Sequence, residues 1–281
     1  MELTTTTIKK HKSFTTIHTP NNKRGEKKFY KSFIYGGKRM WITLSLTFFL
    51  VLSEMKAQES FLAQQLNYPR VLDAFKQKDA SLEEEFLSKS LSWPPKEIYI
   101  RAFKSEQELE LWVREGSEFS LFKTYDICKN SGTLGPKEKQ GDKQVPEGFY
   151  RLDRFNPQSN FWLSLGIDYP NKVDLERTTA ADPGGDIFIH GNCVTIGCLP
   201  MTDEKIKEIY LLAVLARNAG QDDIFVHIFP YKFTLLNNAI FSNIYPKHAS
   251  FWKDLEAIYL YFEDKKQIPN IQVNKGRYIL P

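Results

Sequence analysis

The stretch Ile187–Met201, IFIHGNCVTIGCLPM, constrains this chain more than any other. Ile187, Phe188 and Ile189 form a short apolar run that reads as a buried strand. The run ends on His190-Gly191; Gly197-Cys198 follows, then Pro200 and a helix. His190 and Cys198 are eight positions apart, a separation of roughly 26–29 Å when fully extended. Ring and thiol meet only if the segment doubles back, and Gly191 and Gly197 tolerate the positive φ that such a return requires. A thiol beside an imidazole is the minimal kit for nucleophilic acyl transfer: the imidazole takes the proton and the sulfur attacks a carbonyl. Cys198 is therefore the candidate nucleophile and His190 the candidate general base. The amides of Gly197 and Cys198 are candidate oxyanion donors. No carboxylate lies in the motif to orient the ring, so a backbone carbonyl near Gly191 or Asn192 is the candidate orienter. A nucleophile of this kind is expected to react with iodoacetamide at neutral pH faster than free cysteine.

Two other readings use the same residues. One is a turn with buried thiols. The other is a zinc site from His190, Cys193, Cys198 and His227, but the spacing H-x2-C-x4-C-x28-H matches no common finger. His227 stands among apolar neighbours on a predicted strand, the setting of a core histidine.

The net charge of +4 divides unevenly along the chain. Residues 1–39 carry ten Lys/Arg against Glu2 and Glu26, a surplus of eight; residues 40–57 balance, so the remainder carries −4. The body thus offers no electrostatic case for binding nucleic acid. Directly after Gly36-Gly37-Lys38-Arg39 comes an apolar run, Trp41–Ser53, shorter than the roughly 18 residues that argue for a spanning helix. A basic region followed by a short apolar core reads as a secretory signal, with cleavage after Ala57, or as an uncleaved membrane anchor. Either reading exports the body to the periplasm or cell envelope. Cys128, Cys193 and Cys198 then lie in a disulfide-permissive compartment, and an odd number leaves one over. A Cys128–Cys193 bridge with Cys198 free fits this count; three reduced, buried thiols are the alternative.

The predicted organisation is a leader (1–57), a helical N-terminal segment (58–94), a catalytic domain (95–231) and a C-terminal helical tail (232–281). Apolar residues at helical spacing over Gln58–Leu91 predict helices broken at Pro69. Glu97–Phe103 alternates and predicts a strand. Ser105–Gly116 is read as a helix with Ser105 as its cap and Gly116 as its terminator. Strands are predicted at Phe119–Cys128, Phe149–Leu152, Asn160–Leu165 and Asp223–Phe229. Asp168–Asp174 is predicted as a turn. Helices are expected at Asp203–Ala219, capped by Thr202, and near Ser250–Phe262. Between the strands lies Lys129–Gly148, a long polar loop rich in glycine and proline, the candidate substrate rim. The fold class is α+β, with a mixed or antiparallel sheet.

Three segments together, GPKEKQGDKQVPEGFYRL (Gly135–Leu152), DYPNKVD (Asp168–Asp174) and IFIHGNCVTIGC (Ile187–Cys198), give the chain a family likeness. Over roughly Ile98–Tyr231 it resembles the YkuD-type L,D-transpeptidase family, in its YafK-like branch. The resemblance implies a β-rich catalytic domain and an exported bacterial cell-wall enzyme. It implies Cys198 as nucleophile, His190 as base and a thioacyl intermediate with peptidoglycan stem peptides. The acyl group then passes to an amine, making a cross-link, or to water, which cuts peptidoglycan–peptide or peptidoglycan–protein links. Lys137, Gly141, Asp142 and Tyr150 are the candidate substrate-binding residues. No metal or organic cofactor is expected; the partners are stem peptides and wall-linked proteins, with no nucleic acid, and membrane contact runs only through an uncleaved leader. The sequence departs from the broader family in three ways. His and Cys are about half as far apart, Ile196 stands where most members carry a second His, and Leu199-Pro200-Met201 replaces an Arg shortly after the Cys; the Thr195 position is kept. A non-catalytic wall-binding module is the reading of another class.

Overall fold

The computed structural model describes residues 59–281. The basic leader and the apolar run Trp41–Ser53 lie outside the described residues. In chain order the elements begin with helices α1 (Phe61–Leu66) and α2 (Pro69–Ser88), then strands β1 (Ile98–Phe103), β2 (Glu108–Glu115), β3 (Glu118–Asp126), β4 (Gly148–Asn156) and β5 (Ser164–Ile167). After these come α3 (Lys172–Arg177), β6 (Phe188–His190), β7 (Leu199–Pro200), α4 (Asp203–Asn218) and β8 (Phe225–Phe229). The chain closes with α5 (Leu235–Ile244), a 3-10 turn at Pro246–His248, α6 (Ala249–Lys265), and the hairpin β9 (Gln272–Asn274) and β10 (Arg277–Ile279).

Eight strands form one mixed sheet in the order β3-β2-β1-β8-β4-β5-β6-β7. β1 runs parallel to β8 and β6 parallel to β7; the other pairs are antiparallel. Successive side chains of a strand point to opposite faces, so each strand feeds two cores. On β8, Val226 and Ile228 join the larger core, which the buried face of α4 (Ile206, Ile209, Tyr210, Ala213) and Val71, Leu82 and Phe86 of α2 complete. Phe229 turns the other way, to Phe251, Trp252, Leu255 and Ile258 of α6. The N-terminal helices and the C-terminal tail therefore each cover a face of the sheet. Burying residues of this size removes roughly 1.5–3 kcal/mol of exposure cost per side chain.

The expected helix at Ser105–Gly116 is instead a hairpin strand. ELELWVRE alternates strictly: Leu109, Leu111 and Val113 enter the larger core, while Glu110 and Trp112 face the other way. Gln107 takes a positive φ of 56° at the tight β1–β2 turn, and Gly116 takes 61° at the β2–β3 turn. Glycine and the period of two decide for a strand, and cross-strand pairing with both neighbours outweighs the local helix signals. Asp168–Asp174 holds the start of α3, where Asn171 and Asp174 form a reciprocal capping box. The strand expected at Asn160–Leu165 begins only at Ser164. Thr202 precedes α4 but makes no side-chain cap bond. The tail carries α5 and a terminal hairpin besides the expected helix.

Candidate active site

The site lies at the far edge of the sheet, where β5, β6 and β7 adjoin. His190 is the last residue of β6, paired with Ser164 on one side and Pro200 on the other. The parallel register Ile189↔Leu199, His190↔Pro200, continued by one residue, sets Cys198 beside Phe188. Alternation then puts Cys198 and His190 on the same face, as a diagonal pair across β6 and the start of β7. The connection between them folds back as a tight loop, and a disulfide ties it down: Cys193 is bonded to Cys128, just beyond β3. Cys198 is the free cysteine among the described residues and is partly exposed.

Each group has defined partners. His190 is 2% exposed and packs its ring 4.7 Å from that of Phe161. Its Nδ1 lies 2.6 Å from the Gly191 carbonyl oxygen. A carbonyl only accepts, so Nδ1 carries the proton and Nε2 presents a lone pair. Burial holds the imidazole pKa below its ordinary value, against the opposing effect of the Gly191 hydrogen bond. The Cys198 thiol donates to the Asp186 carbonyl oxygen at 3.6 Å. Burial raises its pKa; a hydrogen bond with the Phe188 backbone and the charge of Lys137 oppose the rise, while Asp186 adds to it. Both groups are thus neutral near pH 7, the state that suits general-base attack rather than a standing thiolate–imidazolium pair.

A raised thiol pKa points away from the fast alkylation expected of an activated thiolate. Iodoacetamide is expected to modify Cys198 more slowly than free cysteine at pH 7. The rate should climb with pH until the raised thiol pKa is passed, because only the thiolate reacts. Peptide mapping across a pH series from neutral to alkaline checks this; a rate above that of free cysteine at pH 7 would contradict the neutral resting state.

The Thr195 hydroxyl organises the returning loop. It accepts from the Gly197 N–H at 3.1 Å and the Cys198 N–H at 2.8 Å, and donates to the Cys198 carbonyl at 2.8 Å. The two amides proposed from sequence as oxyanion donors therefore converge on one oxygen, that of the Thr195 hydroxyl. Gly197 has a φ of +141°, and a Cβ there would stand 3.1 Å from the Gln144 carbonyl, so the rim loop packs directly on its backbone. Gly191 is similarly closed in: a Cβ would meet the Phe161 carbonyl at 2.6 Å. Val194 and Ile196 (78% exposed) of this loop, and Phe161, present apolar side chains to solvent as a lip.

The other candidates from the sequence fall elsewhere than expected. Tyr150 is fully buried, its hydroxyl bonded to Asp174 at 3.1 Å and close to the Glu147 carbonyl, so it is packed in the core rather than standing free at the rim. Lys137 and Asp142 are paired at 2.7 Å, and Asp142 also accepts from the amides of Glu138, Lys139 and Gln144. They brace the rim loop rather than stand free for a ligand. Burial alone would raise the Asp142 pKa; the bond from Lys137 and those amides outweigh it and hold the carboxyl below its usual range. Gly141 sits at the loop's exposed tip with a φ of +76° and open space around it. The alternative zinc set is dispersed: Cys193 is in the disulfide and His227 lies on β8, three strands from β6. Sequence reasoning missed Phe161 and Asp186, which touch the ring and the sulfur from neighbouring turns; nothing in their local sequence marks them.

The chain is similar to known proteins. The family model for the L,D-transpeptidase catalytic domain, YkuD, matches residues 97–226. The protein described as "Putative L,D-transpeptidase YafK" of Escherichia coli (strain K12) is 38% identical over 185 residues, covering 65% of this chain and 73% of that protein. Its counterpart in Escherichia coli O157:H7 gives the same figures. Among solved structures, the helical cell shape determining protein Pgp2 from Campylobacter jejuni is 18% identical with a TM-score of 0.38, covering 69% of this chain and 80% of that one. A point mutant of Pgp2 is 20% identical with a TM-score of 0.39, over 61% of this chain and 57% of that one. Bdellovibrio bacteriovorus Bd1075 is 21% identical with a TM-score of 0.36, over 61% and 64%.

Proposed function

The chain belongs to the L,D-transpeptidase (YkuD) catalytic-domain family, and from that premise we propose that it is an exported cysteine acyltransferase acting on the peptide stems of peptidoglycan. The observation that carries this reading is the state of His190. With Nδ1 held by the Gly191 carbonyl, Nε2 is the free basic nitrogen on the face it shares with the one free thiol among the described residues.

In the first half-reaction His190 Nε2 takes the Cys198 proton as Sγ attacks a stem carbonyl. The Thr195 hydroxyl yields its place between the Gly197 and Cys198 amides to the developing oxyanion, and Lys137 adds positive charge nearby. Collapse expels the amine, which leaves with the proton from the imidazolium, and a thioester remains on Cys198. In the second half an amine or water attacks the thioester, His190 accepts its proton, and the thiol is regenerated. The neutral resting pair fits this route, since the proton moves only as the bond forms.

Amine and water share the acylation step and divide at the thioester. The exposed apolar lip of Phe161, Val194 and Ile196 favours an acceptor that packs there over bulk water, and transfer to an amine is the preferred reading. Incubation with muropeptides, with and without an added amine acceptor, tests it by product mass. Cross-linked product that rises with acceptor concentration is expected. Release of free stem or of wall-linked protein alone, unchanged by acceptor, would make the enzyme a hydrolase at the same site. Export follows from the leader and is checked by fractionating cells expressing the full chain.

A further inference from the structure

A cavity of about 560 Å³ opens between β4, β8 and the C-terminal segment 268–278. Its floor is aromatic: Phe149, Phe225 and Tyr278 line it together with His227. His227 is 1% exposed. Its Nδ1 lies 2.6 Å from the Tyr99 hydroxyl, while Nε2 is buried with no hydrogen-bond partner among the described residues. In either tautomer Nε2 is left with an unused proton or an unused lone pair. A buried polar atom of this kind costs roughly 1–3 kcal/mol until something bonds it. A ligand hydroxyl, which both donates and accepts, satisfies it in either case.

The rim is charged but balanced. Arg114 is paired with Glu97 at 2.5 Å, Arg151 with Asp223 at 3.1 Å and Asp168 at 3.7 Å, and Lys172 with Glu176 at 3.8 Å. Among the described residues, no rim cation stands unmatched to hold an anionic ligand, and no rim carboxylate stands unmatched to hold a cationic one. Aromatic faces below, with paired basic and carboxylate groups and the Asn270 amide above, suit a neutral ring that carries C–H faces and several hydroxyls. The volume lies in the range of small-molecule sites.

The cavity also lies on the reacting side of the sheet. His227 is in register with Phe149, and Phe225 with Arg151, so these four share one face of β8 and β4. Asp168, directly after β5, accepts from the Arg151 amide at 2.8 Å on that face. Gly166 pairs with Phe188, so the same face continues through Phe188 to Cys198. Asp168 is two strands from Cys198, which at ordinary strand spacing is about 10–12 Å between backbones. Three or four extended peptide residues cover that gap.

We propose that this cavity is a saccharide subsite: it takes a neutral N-acetylated amino sugar of the glycan strand while the attached peptide runs along the sheet face to Cys198. The assignment rests on the peptidoglycan reading for the identity of the sugar, and the binding geometry stands apart from the chemistry at Cys198. The sugar ring lies on Phe225 and Phe149, a hydroxyl or the acetamido group bonds His227 Nε2, and Asn270 closes the open side.

The test is titration of the full-length chain, labelled with ¹⁵N-histidine, with the peptide-free tetrasaccharide of N-acetylglucosamine. Saturable binding that shifts the His227 Nε2 resonance is expected, weakened at least about fivefold in Phe225→Ala and in Asn270→Ala. Asn270 is exposed, so that variant reads out binding even where Phe225→Ala fails to fold. No saturable binding, or binding that leaves His227 unmoved, or binding unaffected by Asn270→Ala, overturns the proposal. Stem-peptide turnover is assayed on the same sample. A protein that binds the saccharide but turns over no stem peptide keeps this site and refutes acyl transfer; one that turns over stem peptide without binding saccharide does the reverse.

Discussion

Cys198→Ala is expected to lower turnover of stem peptides by about 10⁴-fold or more, because it removes the atom that bonds to the acyl group. The protein should otherwise be unchanged. Cys198 is partly exposed, and its Sγ makes only weak sulfur contacts with the Asp186 carbonyl at 3.6 Å and the Phe188 backbone, so the melting temperature should hold within about a degree or two. Intact-mass analysis supplies the second readout. Wild-type enzyme quenched during turnover should carry a mass increment equal to the acyl donor, and the alanine variant none. Retained turnover within about tenfold of wild type would remove Cys198 from the reaction and leave the free thiol as a bystander. The pH profile adds a check on the base. With the imidazole pKa held below its ordinary value, activity should persist on the acid side past the normal histidine midpoint before it falls.

Glu147→Ala is the substitution with the largest expected cost in stability. Glu147 is fully buried and accepts from Lys104 Nζ at 2.9 Å, from the Gly135 amide at 2.7 Å and from Trp252 Nε1 at 2.7 Å. Lys104 is itself buried and further donates to the carbonyls of Gly135 and Val145. Burial pulls the Lys104 pKa down, and the Glu147 charge is the main force opposing that. Removing the carboxylate leaves an ammonium without a counter-charge and two donors without acceptors, a loss of about 3–5 kcal/mol. For a body of this size that lowers the melting temperature by roughly 6–20 °C. The double variant Lys104→Met/Glu147→Leu should recover most of it, since an uncharged pair needs no compensation. A loss below about 1 kcal/mol for the single variant would show that Lys104 sheds its proton freely. The same network anchors both ends of the rim loop, whose Gln144 carbonyl packs on Gly197. Turnover should therefore fall in Glu147→Ala even at temperatures where it remains folded.

Legibility differed sharply between segments. The long amphipathic helices α2, α4 and α6 were readable, because a period of 3.6 sustained over many residues has few competing explanations. β1, β3 and β8 were readable as apolar or alternating runs. β2 was not: Ser105, Gly116 and the cluster Leu109, Leu111, Trp112, Val113 imitate a capped helix, and only the pairing of Val113 with Ile98 and Leu109 with Tyr125 settles the conformation. α5 escaped because none of its residues is buried, so its sequence carries no helical burial stripe. Tyr150 was misplaced for the opposite reason: a tyrosine beside a polar loop looks like a ligand contact until the sheet turns it into the core.

What the sequence determined by itself was chemistry and order: the thiol and imidazole eight residues apart on a strand end and a glycine-flanked return, the odd cysteine, and the family likeness of three separated segments. These are properties of neighbouring residues, and local sterics and periodicity write them directly. Only the tertiary structure decided which carbonyl fixes the His190 tautomer, which way burial moves the two pKa values, that Thr195 gathers the two amides, and that Lys137 and Asp142 answer each other. It also put His227, with its idle nitrogen, on the face that leads to Cys198. Those outcomes depend on burial and on contacts between residues far apart in the chain. Desolvation and hydrogen-bond geometry take their values only once the sheet has closed.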